Sequence, residues 1–288
     1  MTRRRRWPLL AAAAALVAGA LVARPRSVAP ARIAAGPAPS VGQWVWTRAD
    51  ADLFAEVRRG HPGLGAAVLA GTIVAEGERL ELRRGLSPVL GGAPGPVAIV
   101  VRLDDSIHPL WARRSPAEIT LAVGPLLARI LDDARAAGAT VTELQLDYDA
   151  PERRLEAWAG VVAGLGNREL AGVPLWVTSV PSHLDDPRFG ARLAGHVEGH
   201  ILQLFDTGLR RGPGEEVRIR EALARQGLPF RLGVAAYERQ RGARTTTSHG
   251  AWVESVATLR ELPGYAGVWV FPAGREYGAQ LALLEGER

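Results

Sequence analysis

Glu143, Gln145, Asp147 and Asp149 occupy every second position of the segment Val141-Thr142-Glu143-Leu144-Gln145-Leu146-Asp147-Tyr148-Asp149. A period of two is the pattern of a β-strand, so these four share one face, and Leu144, Leu146 and Tyr148 share the other. If a helical layer covers the apolar face, the acids point inward. Burying carboxylates is costly unless they are paired or hydrogen-bonded, so such a row marks a site. Two acids two residues apart on one face lie roughly 6–7 Å apart at Cα. At that spacing, like charge and desolvation both raise a carboxyl pKa, which lets one member keep a proton near neutral pH and serve as a general acid. Glycoside hydrolysis is a reaction that uses two carboxyls in this way. Ala150-Pro151-Glu152 then opens a helical pattern, with Pro where its missing N–H costs nothing. The acids therefore stand at the C-terminal end of a strand that runs into a helix, where α/β barrels and open α/β sheets place their chemistry.

The elements that must position these acids alternate along the chain. Strand-like runs are Gln43–Thr47, Gly65–Val74, Val97–Leu103, Thr142–Asp147, Leu175–Val180, His200–Phe205, Phe230–Ala236 and Gly267–Phe271. Helical patterns lie between most of them, at Ala49–Arg59, Pro116–Ala137, Pro151–Leu165, Asp186–Ala194, Glu215–Gln226, Ala251–Glu261 and Arg275–Glu285. Eight strands with crossover helices predict an α/β fold, a (β/α)8 TIM barrel; an open doubly wound sheet is the rival. The second βα unit is irregular, because Glu78–Arg84 reads as an extra short strand and Leu86–Gly95 is rich in Pro and Gly.

Ahead of the barrel, Arg3 to Arg6 precede an apolar run from Trp7 to Ala23, and Ala18-Gly19-Ala20 offers a small-residue cleavage site. This is the plan of a signal peptide, with an uncleaved inner-membrane anchor as the alternative. The expected organisation is residues 1–23 as signal peptide or anchor, 24–40 as a Pro- and Ala-rich linker, and 41–288 as the barrel. That predicts an exported protein, periplasmic or extracellular. Four of the charges behind the net +5 belong to Arg3 to Arg6, and without them the balance is +1. An almost neutral body lacks the basic footprint of a nucleic-acid binder. The chain has no Cys, which excludes disulfides and a thiolate nucleophile. It has no Lys either, which excludes Schiff-base and pyridoxal phosphate chemistry. No cofactor is expected.

The pieces Gln43-Trp-Val-Trp46, Val97-Ala-Ile-Val-Val-Arg-Leu103, Leu144-Gln-Leu-Asp-Tyr-Asp-Ala-Pro151, Trp176-Val-Thr-Ser-Val-Pro-Ser182, His200-Ile-Leu-Gln-Leu-Phe205 and Gly267-Val-Trp-Val-Phe-Pro272 resemble an uncharacterised bacterial family, domain of unknown function 3142. The resemblance runs from about residue 41 to 275 and implies kinship with barrel glycoside hydrolases. Within that kinship, Asp147-Tyr148-Asp149 is similar to the Asp-x-Glu that ends the fourth-strand motif of chitinase-like hydrolases. The resemblance puts Asp149 in the general-acid position and Asp147 in the position that orients an N-acetyl group or balances charge. The chain departs from that motif in having Asp for the acid Glu and Gln145 for another Asp, which argues against a chitinase proper.

The expected catalytic set is Asp147, Asp149, Glu238 and Asp206, the last two in reserve as the second carboxyl. Gln145, Asp104, Trp111, Gln203, Tyr237 and Trp269 complete the set expected to bind a carbohydrate chain, and Phe271 joins Trp269 as a candidate stacking platform. Blander readings stand beside these. Asp149 could cap the following helix, Asp147 could be the buried partner of an Arg such as Arg102, and Asp104 with Asp105 could be turn residues. Trp44, Trp46, Trp158 and Trp176 read as core packing. His196-Val-Glu-Gly-His200 lacks the order of a zinc motif, and no metal site is expected. Neither Ser179 nor Ser182 sits in a nucleophile elbow. Gly91-Gly92-Ala93-Pro94-Gly95 reads as a plain loop. The leading expectation is a carbohydrate-active barrel that hydrolyses a glycosidic bond; the alternative is a non-catalytic polysaccharide- or partner-binding envelope protein on the same barrel.

Overall fold

The structure, a computed structural model, describes residues 40–90, 95–166, 170, 172–207, 212–241, 244–247 and 249–286, with the side chains of 238–251 left aside. The expectations for residues 1–39, and for Gly91 to Pro94, fall outside the described residues. Eleven strands are described: β1 (Val41–Val45), β2 (Gly65–Glu76), β3 (Arg79–Arg84), β4 (Pro96–Leu103), β5 (Thr140–Asp147), β6 (Leu175–Ser179), β7 (Gly199–Gln203), β8 (Phe230–Ala235), β9 (Glu238–Arg241), β10 (Arg244–Thr247) and β11 (Tyr265–Phe271). The helices are α1 (Arg48–Gly60), α2 (Pro116–Ala136), α3 (Leu155–Gly166), α4 (Phe189–Leu193), α5 (Pro213–Gln226), α6 (His249–Leu259) and α7 (Gly278–Glu285).

Eight strands run parallel in the order β1-β11-β8-β7-β6-β5-β4-β2, and β1 also pairs with β2, which closes the sheet into a (β/α)8 barrel. The extra strand expected over 78–84 is β3, an antiparallel hairpin partner of β2 outside the ring. Short 3-10 turns at Asp105–Ala112, Glu152–Arg154 and Pro181–Asp185 follow β4, β5 and β6. The helix expected from Asp186 shrinks to Phe189–Leu193.

Register decides which side chains enter the barrel, because residues paired across parallel strands point to the same side. Arg102 pairs with Asp147, Gln145 with Trp176, Ile201 with Arg231, and Trp269 with both Gly233 and Gly42. The interior is crowded by Trp44, Trp176 and Trp269, with Ala67, Ala98, Val100 and Ile201 between them. Glycine makes the room: a Cβ at Gly42 would lie 2.0 Å from the Trp269 ring, and one at Gly233 would lie 2.8 Å from Trp44. The opposite faces of the strands meet the helices in a second, larger apolar core that includes Leu144, Leu146 and Tyr148.

Candidate active site

The fourth barrel strand, β5, carries its polar row inward as the alternation predicts. At depth, Glu143 Oε1 accepts from Arg231 Nη1 at 2.6 Å and from Gln145 Nε2 at 2.7 Å. Gln145 Oε1 in turn accepts the Trp44 indole N–H at 2.8 Å. The Arg231 guanidinium lies 3.8 Å from the centre of the Trp176 ring. All of these side chains are buried. Gln145 therefore has both ends of its amide engaged within the barrel.

Asp147 is reached at the end of the strand, and its surroundings change. Its Oδ1 accepts from Gln203 Nε2 at 2.9 Å and from Thr178 Oγ1 at 3.1 Å. The Thr178 hydroxyl also accepts the Tyr148 N–H at 2.9 Å, so one side chain on β6 holds the strand end and the carboxylate together. Among the described residues no hydrogen bond ends on Asp147 Oδ2. Burial, then the negative charge of Asp149, raise the Asp147 pKa to about 6, against the opposing pull of Arg102, Thr178 and Gln203. Arg102 is its neighbour in register, but no ion pair within 4.0 Å joins them. Its guanidinium lies instead 5.4 Å from the centre of the Trp46 ring.

Asp149 stands two residues beyond, exposed at the mouth. Crowding by the surrounding protein raises its pKa and the charge of Asp105 adds to this, while Arg102 and His108 oppose it. The segment around it is fixed from behind. Trp111 Nε1 donates to the Tyr148 hydroxyl at 2.6 Å, and the Tyr148 ring also packs on Trp158. His183 Nε2 lies 2.8 Å from the Ala150 carbonyl, which can only accept, so the imidazole proton sits on Nε2. The cap position of the 3-10 turn that follows is Pro151, without a side-chain cap, so Asp149 does not serve as the cap.

Asp206 follows β7 with φ 56°, and the Tyr237 hydroxyl donates to its carboxylate, so two expected site residues meet there. Glu238 opens the β9–β10 hairpin, and its side chain lies outside the described set. Asp104 caps the 3-10 turn after β4, accepting the Ser106 N–H at 2.9 Å, and that bond holds its pKa below the usual value. Its carboxylate is therefore engaged as the turn reading expects.

The aromatic residues require a correction. Trp111 and Trp269 are 4% and 2% exposed, one packed behind Tyr148 and the other inside the barrel, so neither offers an open face. The half-buried rings at the mouth are Trp46, Phe205 and Phe271. Trp46 and Phe271 lie 5.0 Å apart, and Phe205 stacks on Phe271 at 5.5 Å. Trp46 reads from the sequence as core, inside a strand expected to run to Thr47; β1 ends at Val45, and that earlier end leaves Trp46 at the mouth, unlike Trp44. Thr178 is not in the expected set, because only the barrel register brings it to Asp147; Arg102, expected from the sequence as a partner for Asp147, is its register neighbour without an ion pair.

His200 lies at the start of β7 with Ser179 Oγ 2.7 Å from its Nδ1, both fully buried behind the barrel wall. Among the described residues no group of three or more His, Asp or Glu side chains converges as a metal site would require.

No family model matches the sequence, and none therefore bears on the resemblance to domain of unknown function 3142. No curated protein matches it either. Solved structures do share its fold. A class V chitinase from Pseudomonas fluorescens superposes with a TM-score of 0.61 at 15% identity, over 86% of this chain and 99% of that one. The spore cortex-lytic enzyme SleL of Bacillus megaterium gives 0.60 at 9% identity, over 86% and 73%. A chitinase from Chromobacterium violaceum gives 0.57 at 14% identity, over 86% and 98%. At these identities the likeness establishes the architecture alone: the chain is a (β/α)8 barrel, the fold of these chitinases and of the cortex-lytic enzyme.

Proposed function

We propose that this protein is an exported carbohydrate-active barrel that hydrolyses a glycosidic bond at its C-terminal mouth. The observation that carries the reading is the acid pair at the end of β5, in which a carboxyl with its pKa raised to about 6 stands beside a second, exposed carboxyl. Asp149, open to the mouth, would deliver the proton to the leaving oxygen. Asp147 would then act as nucleophile or as the carboxylate that orients the substrate, with Asp206 and Glu238 as reserves for the second carboxyl. The half-buried rings of Trp46, Phe205 and Phe271 would receive the apolar face of a pyranose, and Gln203 and Tyr237 stand at the same end of the barrel.

The fold neighbours make chitin and spore cortex the first polymers to try. Export rests on residues 1–23, which would also supply any attachment to the inner membrane. Membership of domain of unknown function 3142 belongs to the same reading. A non-catalytic polysaccharide binder is the second reading, favoured by the shorter Asp149 where the chitinase-like motif has Glu.

The test is release of new reducing ends from chitin oligosaccharides and cortex preparations by the full chain, by Asp149→Asn and by Asp147→Asn. Turnover in the wild type, lost in both variants with binding retained, is the expected result. Binding without turnover in all three would establish the binder. Turnover unchanged in both variants would remove these acids from the mechanism.

A further inference from the structure

The seam where β1 meets β11 holds a buried carboxylate that the mouth chemistry leaves unused. Asp50, in the first turn of α1, is fully buried. Its Oδ2 accepts the Trp46 N–H at 3.1 Å and the N–H and hydroxyl of Thr47, both at 2.9 Å. Its Oδ1 accepts the Gly274 N–H at 2.7 Å. A capping box accounts for the bonds to Thr47, but not for Gly274, which lies 224 residues away in sequence. That last bond holds a turn in which Ala273 has φ 49° and Gly274 has φ 73°, a conformation that alanine adopts only under constraint. The backbone carbonyl of Asp50 is used as well, accepting from Gln43 Nε2 at 2.8 Å, while the Tyr277 hydroxyl donates to Gln43 Oε1 at 2.7 Å. One residue thus joins the loop after β1, which carries Trp46, to the loop after β11, which leaves from Phe271.

We infer that Asp50 is a positioning residue, setting the spacing of the Trp46 and Phe271 rings and through it the fit of a pyranose at the mouth. This inference rests on the carbohydrate reading above. A carboxylate is required because four donors converge on its two oxygens. An amide offers one oxygen and turns a second donor toward a donor already present.

The experiment compares Asp50→Asn, Phe271→Leu and the double variant in the full chain. Its readouts are KM and kcat on chitin oligosaccharides, direct binding of the same sugars, melting temperature and near-ultraviolet circular dichroism. Asp50→Asn should weaken sugar binding about tenfold, the size expected for losing one charge-assisted hydrogen bond, and leave kcat within about twofold. The double variant should bind no worse than the weaker single, because both changes act on one pair of rings. Thr47→Ala is the control: it strips the local cap and lowers melting temperature, but keeps the Trp46, Thr47 and Gly274 N–H bonds that tie the two loops, so it should weaken affinity much less than Asp50→Asn. If Asp50→Asn does not fold, Asp50→Glu takes its place with the same expectation. Unchanged affinity, additive losses, or an equal loss in Thr47→Ala would overturn the inference. If the wild type binds no sugar, the carbohydrate reading fails. The circular dichroism then still decides whether Asp50 sets the ring geometry: a changed aromatic signal supports that, and an unchanged one refutes it.

Discussion

Glu143 and Asp147 lie four residues apart on the inward face of one strand, roughly 13 Å along it, and the barrel treats them in opposite ways. Glu143 is met by Arg231 at 2.6 Å and by Gln145, in an interior crowded by Trp44, Trp176 and Trp269. Asp147 is met by two neutral donors, both on the same oxygen, while Arg102 stays outside pairing distance and Asp149 adds like charge. A buried acid with its own cation is a structural element. A buried acid without one, at the C-terminal rim, keeps free energy in reserve that a substrate or a proton can release. Residue type and spacing are alike at the two positions, so the partner decides the role.

The largest effect should come from breaking the deep pair. Glu143→Gln leaves Arg231, which is almost fully buried, without a counter-charge, and should cost about 3–5 kcal/mol. In a domain of this size that lowers the melting temperature by roughly 10 °C, readable by calorimetry. Replacing both members together with Met should recover most of the loss, because no charge is then stranded. A loss under about 1 kcal/mol for Glu143→Gln would show that the deep acid is no more structural than the upper one.

Asp147→Asn should do the reverse. The carboxyl pKa is about 6 in the folded protein against 3.8 for the ordinary group, so between those values the native state holds the proton more tightly than the unfolded chain. Stability from this group therefore falls as pH rises from about 4 to about 6 and stays lost above that. The asparagine variant, which keeps an oxygen for Thr178 and Gln203, escapes this loss. At pH 7 it should be the more stable protein, by up to about 3 kcal/mol, and the two should converge below pH 4. Denaturant titrations at pH 4 and pH 7 measure this directly. A variant less stable than wild type at pH 7 would place Asp147 with Glu143 among the structural acids.

Smaller still is the support behind the mouth. Trp111→Phe removes the buried N–H that reaches the Tyr148 hydroxyl and should cost about 1–3 kcal/mol. On the hydrolase reading proposed above, it should also lower turnover more than sugar affinity, since Tyr148 stands between Asp147 and Asp149 in the chain and packs on Trp111 and Trp158, not on the Trp46, Phe205 and Phe271 rings.

Much of this comparison was open to sequence reasoning. The eight barrel strands begin and end within two residues of the expected runs, because alternating and wholly apolar segments bounded by Gly, Pro and polar turns leave few other assignments. The inward row of β5 followed from its period alone. What could not be read was what faces what. Arg231 and Glu143 lie 88 positions apart, and Trp44 and Gln145 lie 101 apart, so only barrel register joins them. Trp44, Trp158 and Trp176 are buried as expected, but the same limit misplaced Trp269, because a Trp inside a strand can look like a platform until a glycine opposite it is seen to make an internal socket. The 3-10 turn at Asp105–Ala112 contains Pro109 and has no apolar period long enough to announce it.

The most direct test of the contrast is a carboxyl carbon NMR titration of Asp147, in the wild type and in Asp149→Asn. The contrast between the two acids requires a midpoint near 6 in the wild type, moving down when the charge of Asp149 is removed, because burial is the first cause of the shift and that charge the second. A wild-type midpoint near the ordinary 3.8, unmoved by Asp149→Asn, would contradict it, leaving the rim of β5 no different in kind from the ion pair beneath it.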